Sequence, residues 1–335
     1  MADISPNAKQ KRVDKGVTRR TFLGMSLASG ATLLAGGSTT LFGAGSATAP
    51  GLATNPIWKL GGDLPVNRLG FGAMRITGEG IWGWPADRNN ALKVLRRAVQ
   101  LGVNLIDTAD AYGPETSELL IAEALHPYPA GLVIATKGGL TRPGPGDWKP
   151  DGRPEYLKKC VENSLKRLRL ERIDLYQLHR IDRKVPMEES LGAIKEMQSA
   201  GKIRHVGLSE VSPEEIERAR KILPIVSVQN RYNIADREWE KTLVYCEKEH
   251  LGFMPWSPIG GGRGLKPGGG LEAIAKAHQA TVFQVALAWL LQRSPVMLPI
   301  PGTSSLAHLE ENVAAAKLKL TPEEWKTIDA LAGHS

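Results

Sequence analysis

Four residues capable of proton chemistry stand where short apolar runs end. Asp107 closes "VNLID", Tyr112 follows five residues later in "TADAYG", Lys137 ends "LVIATK" and His179 ends "DLYQLH". A phenol, with a pKa of about 10, is a sluggish acid near neutrality unless a cation stabilises its phenolate. Lys137 is the cation expected to lower that pKa, and Asp107 is the counter-ion expected to keep a buried ammonium charged. His179 is expected to donate a hydrogen bond to an oxygen that gains charge. Each suits an ordinary role by itself: aspartates cap helices, Tyr112-Gly113 fits a turn, Lys137 a surface and His179 a satisfied core. Taken together, in this order and at the ends of successive runs, they describe an acid poised over one pocket.

Bringing them together requires a scaffold that gathers strand ends. Eight candidate strands occur: 68–74, 103–107, 132–137, 174–179, 205–209, 227–232, 253–257 and 296–300. Helical periodicity runs between them, over 88–100, 116–124, 154–170, 187–200, 213–222 and 237–250. In the third of these, Leu157, Val161, Leu165 and Leu168 form one apolar stripe. Asp87, Ser212-Pro213 with Glu215, Asp236 and Thr321-Pro322 are expected helix starts, and Gly102, Gly201 and Gly252 expected stops. This is the arithmetic of an α/β (β/α)8 barrel, whose functional groups collect at the carboxyl ends of its strands. Periodicity alone leaves a doubly wound sheet as the alternative. "KLGGDLPV" reads as an N-terminal β-hairpin, and 306–315 and 322–331 as extra C-terminal helices.

The composition is that of an ordinary globular protein, 42% hydrophobic and 23% charged, so the 335 residues can bury a large core. The net charge of +8 comes half from residues 1–49; the remainder holds 37 basic and 33 acidic residues, too even to imply nucleic acid. The two cysteines, Cys160 and Cys246, have no metal-ligand spacing, read as core or flank residues, and imply no metal. "TRRTFLGMSLASGATLLAGG", with Arg19 and Arg20 before a Gly- and Ala-rich run, and "SATA" ending at Ala49 resemble a cleavable twin-arginine signal. That implies export, to a periplasm, by the twin-arginine machinery. The run is too broken by glycine for a stable membrane span. Residues 1–49 are therefore expected to be the signal and 50–335 the barrel.

The barrel's segments resemble the aldo-keto reductases. "GVNLIDTADAYGPETSELLIAEAL", "IATKGG", "IDLYQLHRID", "VGLSE", "VQNRYN", "PWSPIGGG" and "PIPGTSSLAHLEEN" follow that family's motifs in order, across 57–331. The resemblance implies hydride transfer from a nicotinamide cofactor to an aldehyde or ketone, with Tyr112 protonating the nascent alkoxide and Asp107, Lys137 and His179 assisting. It implies that Ser209 and Gln229 hold the nicotinamide carboxamide and that Trp256 stacks on the ring. Ser257, Pro258, Ile259 and Gly260 would then line the pyrophosphate. Gly302, Thr303, Ser304, His308, Glu311 and Asn312 would hold the adenosine end. Glu210 stands where asparagine is common, Trp256 where tyrosine or phenylalanine is, and Gly302 and His308 where many members carry a lysine and an arginine. NADP(H) is favoured on family grounds and NAD(H) is possible. The competing reading is a barrel subunit that senses nucleotide or regulates a partner without turnover.

Gly78-Glu-Gly-Ile-Trp-Gly83 matches a G-x-G-x-x-G turn, but Trp84, Pro85 and Ala86 separate it from a helix that starts near Asp87. A dinucleotide turn needs its third glycine in the first helical turn, so the segment reads instead as a loop on the substrate rim. Met74, Ile76, Trp82, Trp84, Tyr112, His179 and the loop near Trp148 are then the expected substrate pocket, aromatic-walled and without a charge requirement. The substrate that the resemblance implies is a small-molecule carbonyl compound.

Overall fold

The computed structural model describes residues 57–260 and 270–331; the signal proposed for 1–49 and most of the glycine-rich run after Gly260 lie outside them. A hairpin, β1 (Ile57–Leu60) and β2 (Leu64–Asn67), precedes β3 (Phe71–Gly72), α1 (Arg88–Gln100), β4 (Leu105–Asp107), α2 (Thr116–Leu125) and β5 (Val133–Gly138). A two-stranded excursion, β6 (Leu140–Thr141) and β7 (Lys149–Pro150), leads to α3 (Pro154–Leu168), β8 (Ile173–Leu178), α4 (Met187–Ser199) and β9 (Ile203–Ser209). Then come α5 (Pro213–Arg220), β10 (Ile225–Gln229), α6 (Glu240–Glu249), β11 (Gly252–Phe253), α7 (Gly270–Ala277), α8 (Val282–Arg293), α9 (Leu306–Ala314) and α10 (Pro322–Leu331).

Seven strands form one sheet in the order β11-β10-β9-β8-β5-β4-β3, and all of its pairings are parallel. The expected eighth strand closes it without regular strand geometry. Phe253 N donates to Val296 O and Leu298 N to Phe253 O, while Gly70 N and Gly72 N donate to Pro299 O and Pro301 O across the other edge. Pro299 and Pro301 have no N–H to return, so that second seam carries bonds in one direction only. The result is a (β/α)8 barrel.

Alternation along the strands sorts its interior into layers. Towards the amino-terminal end Leu105, Val133, Ala135 and Leu175 pack with Leu60, Leu64 and Val66 of the hairpin, so β1–β2 plugs that end. Two residues on from Leu105, Ala135 and Leu175, the same faces present Asp107, Lys137 and Gln177, and then His179. The helices pack on the outer faces; the stripe Leu157, Val161, Leu165 and Leu168 of α3 is buried as its spacing predicts, and Cys160 and Cys246 are buried beside it and in α6.

The expected caps hold in part. Asp87 accepts from Asn90 N, and Ser212 with Glu215 and Thr321 with Glu324 form reciprocal capping pairs. Asp236 caps nothing: α6 begins three residues later than expected, and Asp236 instead pairs with Arg231. Nor does Gly252 stop that helix, because His250 already takes the left-handed conformation at its end and Gly252 belongs to β11. Helices α7 and α8 were not expected from the sequence. In α8, every residue from Val285 to Leu291 is buried, so there is no polar face to mark a period.

Arg68 compensates for the sparse seam. Its guanidinium is buried, and it bonds the carbonyls of Met297 (3.2 Å), Ser294 (2.5 Å) and Leu291. Burial with no carboxylate partner lowers its pKa to about 10, still charged at neutrality. Arg68→Leu takes the side-chain donor from three buried carbonyls, of which Ser294 O keeps the Met297 N–H, and is expected to lower the unfolding free energy by about 3 kcal/mol, read from a denaturant melt.

Candidate active site

Lys137 sits fully buried on β5, and its ammonium spends all three donors. It bonds Asp107 Oδ2 at 2.7 Å, Thr108 O at 2.8 Å and Tyr112 Oη at 3.2 Å. Asp107 Oδ1 accepts from Gln177 Nε2 at 3.1 Å and Gln229 Nε2 at 2.8 Å. Burial disfavours the ammonium, but Asp107 and then Tyr112 outweigh it and hold Lys137 above its ordinary pKa.

Tyr112 reaches this group from the turn before α2, and only 7% of it is exposed. The sequence led us to expect a lowered phenol pKa; the structure corrects this. Burial raises it more than the Lys137 charge lowers it, so the phenol keeps its proton near neutrality. Because Lys137 already donates to Tyr112 Oη, the phenol's hydrogen is free for another acceptor. His179 packs edge-on against the phenol, with ring centroids 5.8 Å apart. Its pKa is held well below the ordinary value by burial and then by the charges of Lys137, Arg180 and Arg142, so the ring is neutral. His179 lines the cavity, and its Nδ1 is buried without a hydrogen-bond partner.

Asp107, Tyr112 and His179 thus line a cavity of about 530 Å³, with Lys137 behind Asp107 and Tyr112 and off its wall. On one side stand Met74, Ile81, Leu140, Trp148 and Pro150, and on the other Ser209, Gln229, Gly302 and the segment Trp256–Ile259. Trp82 and Trp84 do not line it. Left-handed turns at Gly80, Ile81 and Gly83 fold the 78–83 loop onto itself, Gly78 N bonding Gly83 O, and Gly83 N ties it to Gly113 O. A side chain on Gly78 would overlap the carbonyls of Trp82 and Trp84. Trp84 is left outside, 47% exposed beneath the Arg88 guanidinium, and Ile76 is buried in the core. Trp82 and Trp148 both lie under Arg142, whose Nη1 bonds Ala111 O and Ile81 O.

On the proposed nucleotide side, two of the departures from the family pattern, Trp256 and Glu210, meet. Trp256 Nε1 donates to Glu210 Oε1 at 2.6 Å, and the same oxygen accepts from Arg231 N at 2.8 Å. A tryptophan whose ring nitrogen is held in this way presents a fixed flat face. Ser209 accepts from Arg180, Ser257 has left-handed backbone, and Gly260 N closes a turn on Ser257 O. Thr303 Oγ1 accepts from Ser305 N, Ser304 O accepts from Asn90, and Ser305 caps α9. His308 is exposed, Glu311 half-buried and Asn312 buried, none of them on the cavity wall.

Sequence reasoning missed Gln177, Arg142 and Arg180. Gln177 was findable, since a polar residue two before His179 on one strand must share its inward face. Arg142 and Arg180 lie beyond strand ends, where alternation gives no direction.

The chain matches the aldo/keto reductase family over 68–332. An uncharacterized oxidoreductase of Schizosaccharomyces pombe is 52% identical over 268 residues, 80% of this chain and 87% of that protein. Pyridoxine 4-dehydrogenase of Escherichia coli is 45% identical over 277 residues, 81% and 96% of the two chains. Among solved structures, glycerol dehydrogenase from Gluconobacter oxydans superposes with a TM-score of 0.75 at 28% identity, covering 82% of this chain and 94% of that one. An aldo-keto reductase from Klebsiella pneumoniae in complex with NADPH gives 0.70 at 26% identity, covering 83% and 95%. The chain belongs to the aldo/keto reductase family and is an NAD(P)H-dependent oxidoreductase.

Behind the Tyr112 turn lies a second space of about 250 Å³, bordered by Asp110, Tyr156, Lys159, Cys160 and Arg167. Asp110 joins the acid's turn to the lysine's strand, its N–H bonding Lys137 O and its carbonyl accepting from Glu115 N. Its Oδ1 has no partner. Burial, and then the Glu118 carboxylate, push the Asp110 pKa up to about 7. The unfolded residue titrates near about 4, so between those values the folded state keeps a proton that the unfolded chain has lost. Stability from this group therefore falls as pH rises from about 4 to 7 and levels off above. Asp110→Asn removes that loss. Its melting temperature is expected to gain on the wild type progressively between pH 4.5 and pH 8, as read from paired thermal melts.

Proposed function

We propose that this protein reduces aldehyde or ketone carbonyls to alcohols with NADPH, Tyr112 giving the proton. The observation that carries the reading is the Lys137–Tyr112 contact: a lysine with every donor committed holds the phenol oxygen while leaving the phenol hydrogen available. The residues present suit a dinucleotide, with the flat face of Trp256 on one wall and hydroxyl and backbone donors at Ser209, Ser257 and the start of α9. When bound, the nicotinamide supplies the hydride.

Within that arrangement, His179 orients the carbonyl oxygen by donating from its neutral ring. Tyr112 passes its proton to that oxygen as charge develops, and Lys137 stabilises the phenolate left behind. Asp107 keeps Lys137 charged and in place. Trp256, Ser257, Pro258, Ile259 and Gly260 would flank the nicotinamide and pyrophosphate, and Thr303, Ser304, His308, Glu311 and Asn312 the adenosine end. NADP(H) is preferred to NAD(H) on the strength of relatives such as the Klebsiella enzyme solved with NADPH. A nucleotide-sensing subunit without turnover would have no need of this complete hydrogen-bond set.

Tyr112→Phe is expected to cut kcat for NADPH oxidation with small aldehydes by about 100-fold or more while leaving nucleotide affinity near wild type. Equal activity of the variant would sink the proton-donor role.

The proposal extends to location. Arg19 and Arg20 before a weakly apolar run support export through the twin-arginine route, which carries folded proteins and would suit an enzyme loaded with nucleotide beforehand. Changing both arginines to lysine is expected to shift the protein from the periplasmic to the cytoplasmic fraction. Wild type found in the cytoplasm would refute the signal.

A further inference from the structure

The carbonyl cavity carries a cation that the proton chemistry does not use. Two arginines line the cavity: Arg75, which is exposed, and Arg180, which follows His179 directly and is half-buried. Its Nη1 is fixed by two neutral acceptors, His179 O at 2.7 Å and Ser209 Oγ at 2.9 Å. Among the described residues, no carboxylate lies within ion-pair distance of it, and its Nε and Nη2 make no protein hydrogen bond. Burial lowers its pKa, with the more distant Glu210 charge countering in part, and the group stays charged near neutrality.

Among the described residues the one carboxylate on the cavity wall is already committed, and Glu210 stands off that wall. Asp107 answers Lys137, Gln177 and Gln229, and Glu210 Oε1 is taken by Trp256 and Arg231. A partly desolvated guanidinium anchored by one nitrogen, with the rest of its fork free, is costly unless a ligand answers it. The fork geometry matches a planar oxyanion such as a carboxylate. It lines the same cavity as His179 and is held against Ser209, on the wall proposed for the nicotinamide, whereas the proposed phosphate positions lie around Ser257–Gly260 and Gly302–Ser304.

Resting on the reductase reading above, we propose that Arg180 is a specificity-determining residue that selects carbonyl substrates bearing a carboxylate near the reducible group. Trp148, edge-on to both Tyr112 and His179, supplies an aromatic wall along which the substrate's carbon frame can lie.

The test compares 3- and 4-formylbenzoate with the matching formylbenzamides, equal in shape and different only in charge. Wild type is expected to favour at least one benzoate over its amide by about tenfold or more in kcat/KM, and Arg180→Gln to bring that ratio to within about threefold of one. The ratio cancels any general disturbance of His179 or Ser209 by the substitution. As a binding readout, benzoate is expected to inhibit wild type more strongly than benzamide, and the variant to lose the difference, while NADPH affinity by fluorescence titration shifts by less than about threefold. A wild-type preference for the amides, a benzoate preference that survives in Arg180→Gln, or a tenfold loss of NADPH affinity in the variant would overturn the proposal. Absence of turnover with all four aldehydes would instead overturn the reductase reading on which it rests.

Discussion

One carboxylate organises this barrel. Asp107 on β4 receives the ammonium of Lys137 from β5 on one oxygen, and on the other the amides of Gln177 from β8 and Gln229 from β10. Both members of the ion pair are almost wholly withdrawn from water, at 0% and 2% exposure. Removing one partner from such a pair costs about 3–5 kcal/mol, because the other charge is left buried alone. The polar layer is thus self-enforcing: each strand must keep its register for any of the four groups to be satisfied. Tyr112 and His179 are placed relative to that layer, the first by the Lys137 bond and the second by standing two residues beyond Gln177.

Much of this was legible because an inward polar residue at a strand end is costly to bury unless it meets a partner or a ligand there. Asp107, Lys137 and His179 could be read from type and position, and Tyr112 from its short distance after Asp107. What could not be read depends on where loop side chains point. Trp82 and Trp84 are large and follow the first strand closely, which makes them natural pocket walls on sequence grounds. The left-handed turns at Gly80, Ile81 and Gly83 rotate them away, and nothing in one residue's identity foretells that combination. In the same way α8 escaped notice, since a helix buried on all sides has composition without period. The eighth strand was found for its apolar run, but its alternating prolines deny it a regular ladder.

The phenol's environment shows how a site can be built for one direction of proton flow. Burial outweighs the neighbouring ammonium, so Tyr112 rests protonated, and Lys137 acts on the product of the transfer more than on its starting state. Arg142 gives the substrate side a comparable economy. Its guanidinium carbon lies 3.5 Å from the centre of the Trp148 ring, and its Nη1 bonds the carbonyls of Ala111, next to the acid, and Ile81, in the glycine-rich loop. The aromatic wall, the acid's turn and the rim loop therefore form one unit.

The seam between the last strand and the first has a different kind of consequence. Elsewhere around the sheet, neighbouring strands are joined by backbone ladders that almost any sequence could supply. Here prolines withhold half of the bonds, and Arg68 reaches across to the segment that leads into the last strand. Closure of the cylinder there thus rests on one side chain as well as on two backbone bonds. A closed sheet has no edges to offer another chain, and an opened one has two. The fold's protection against self-association accordingly leans on one side chain, far in sequence from the strand it secures.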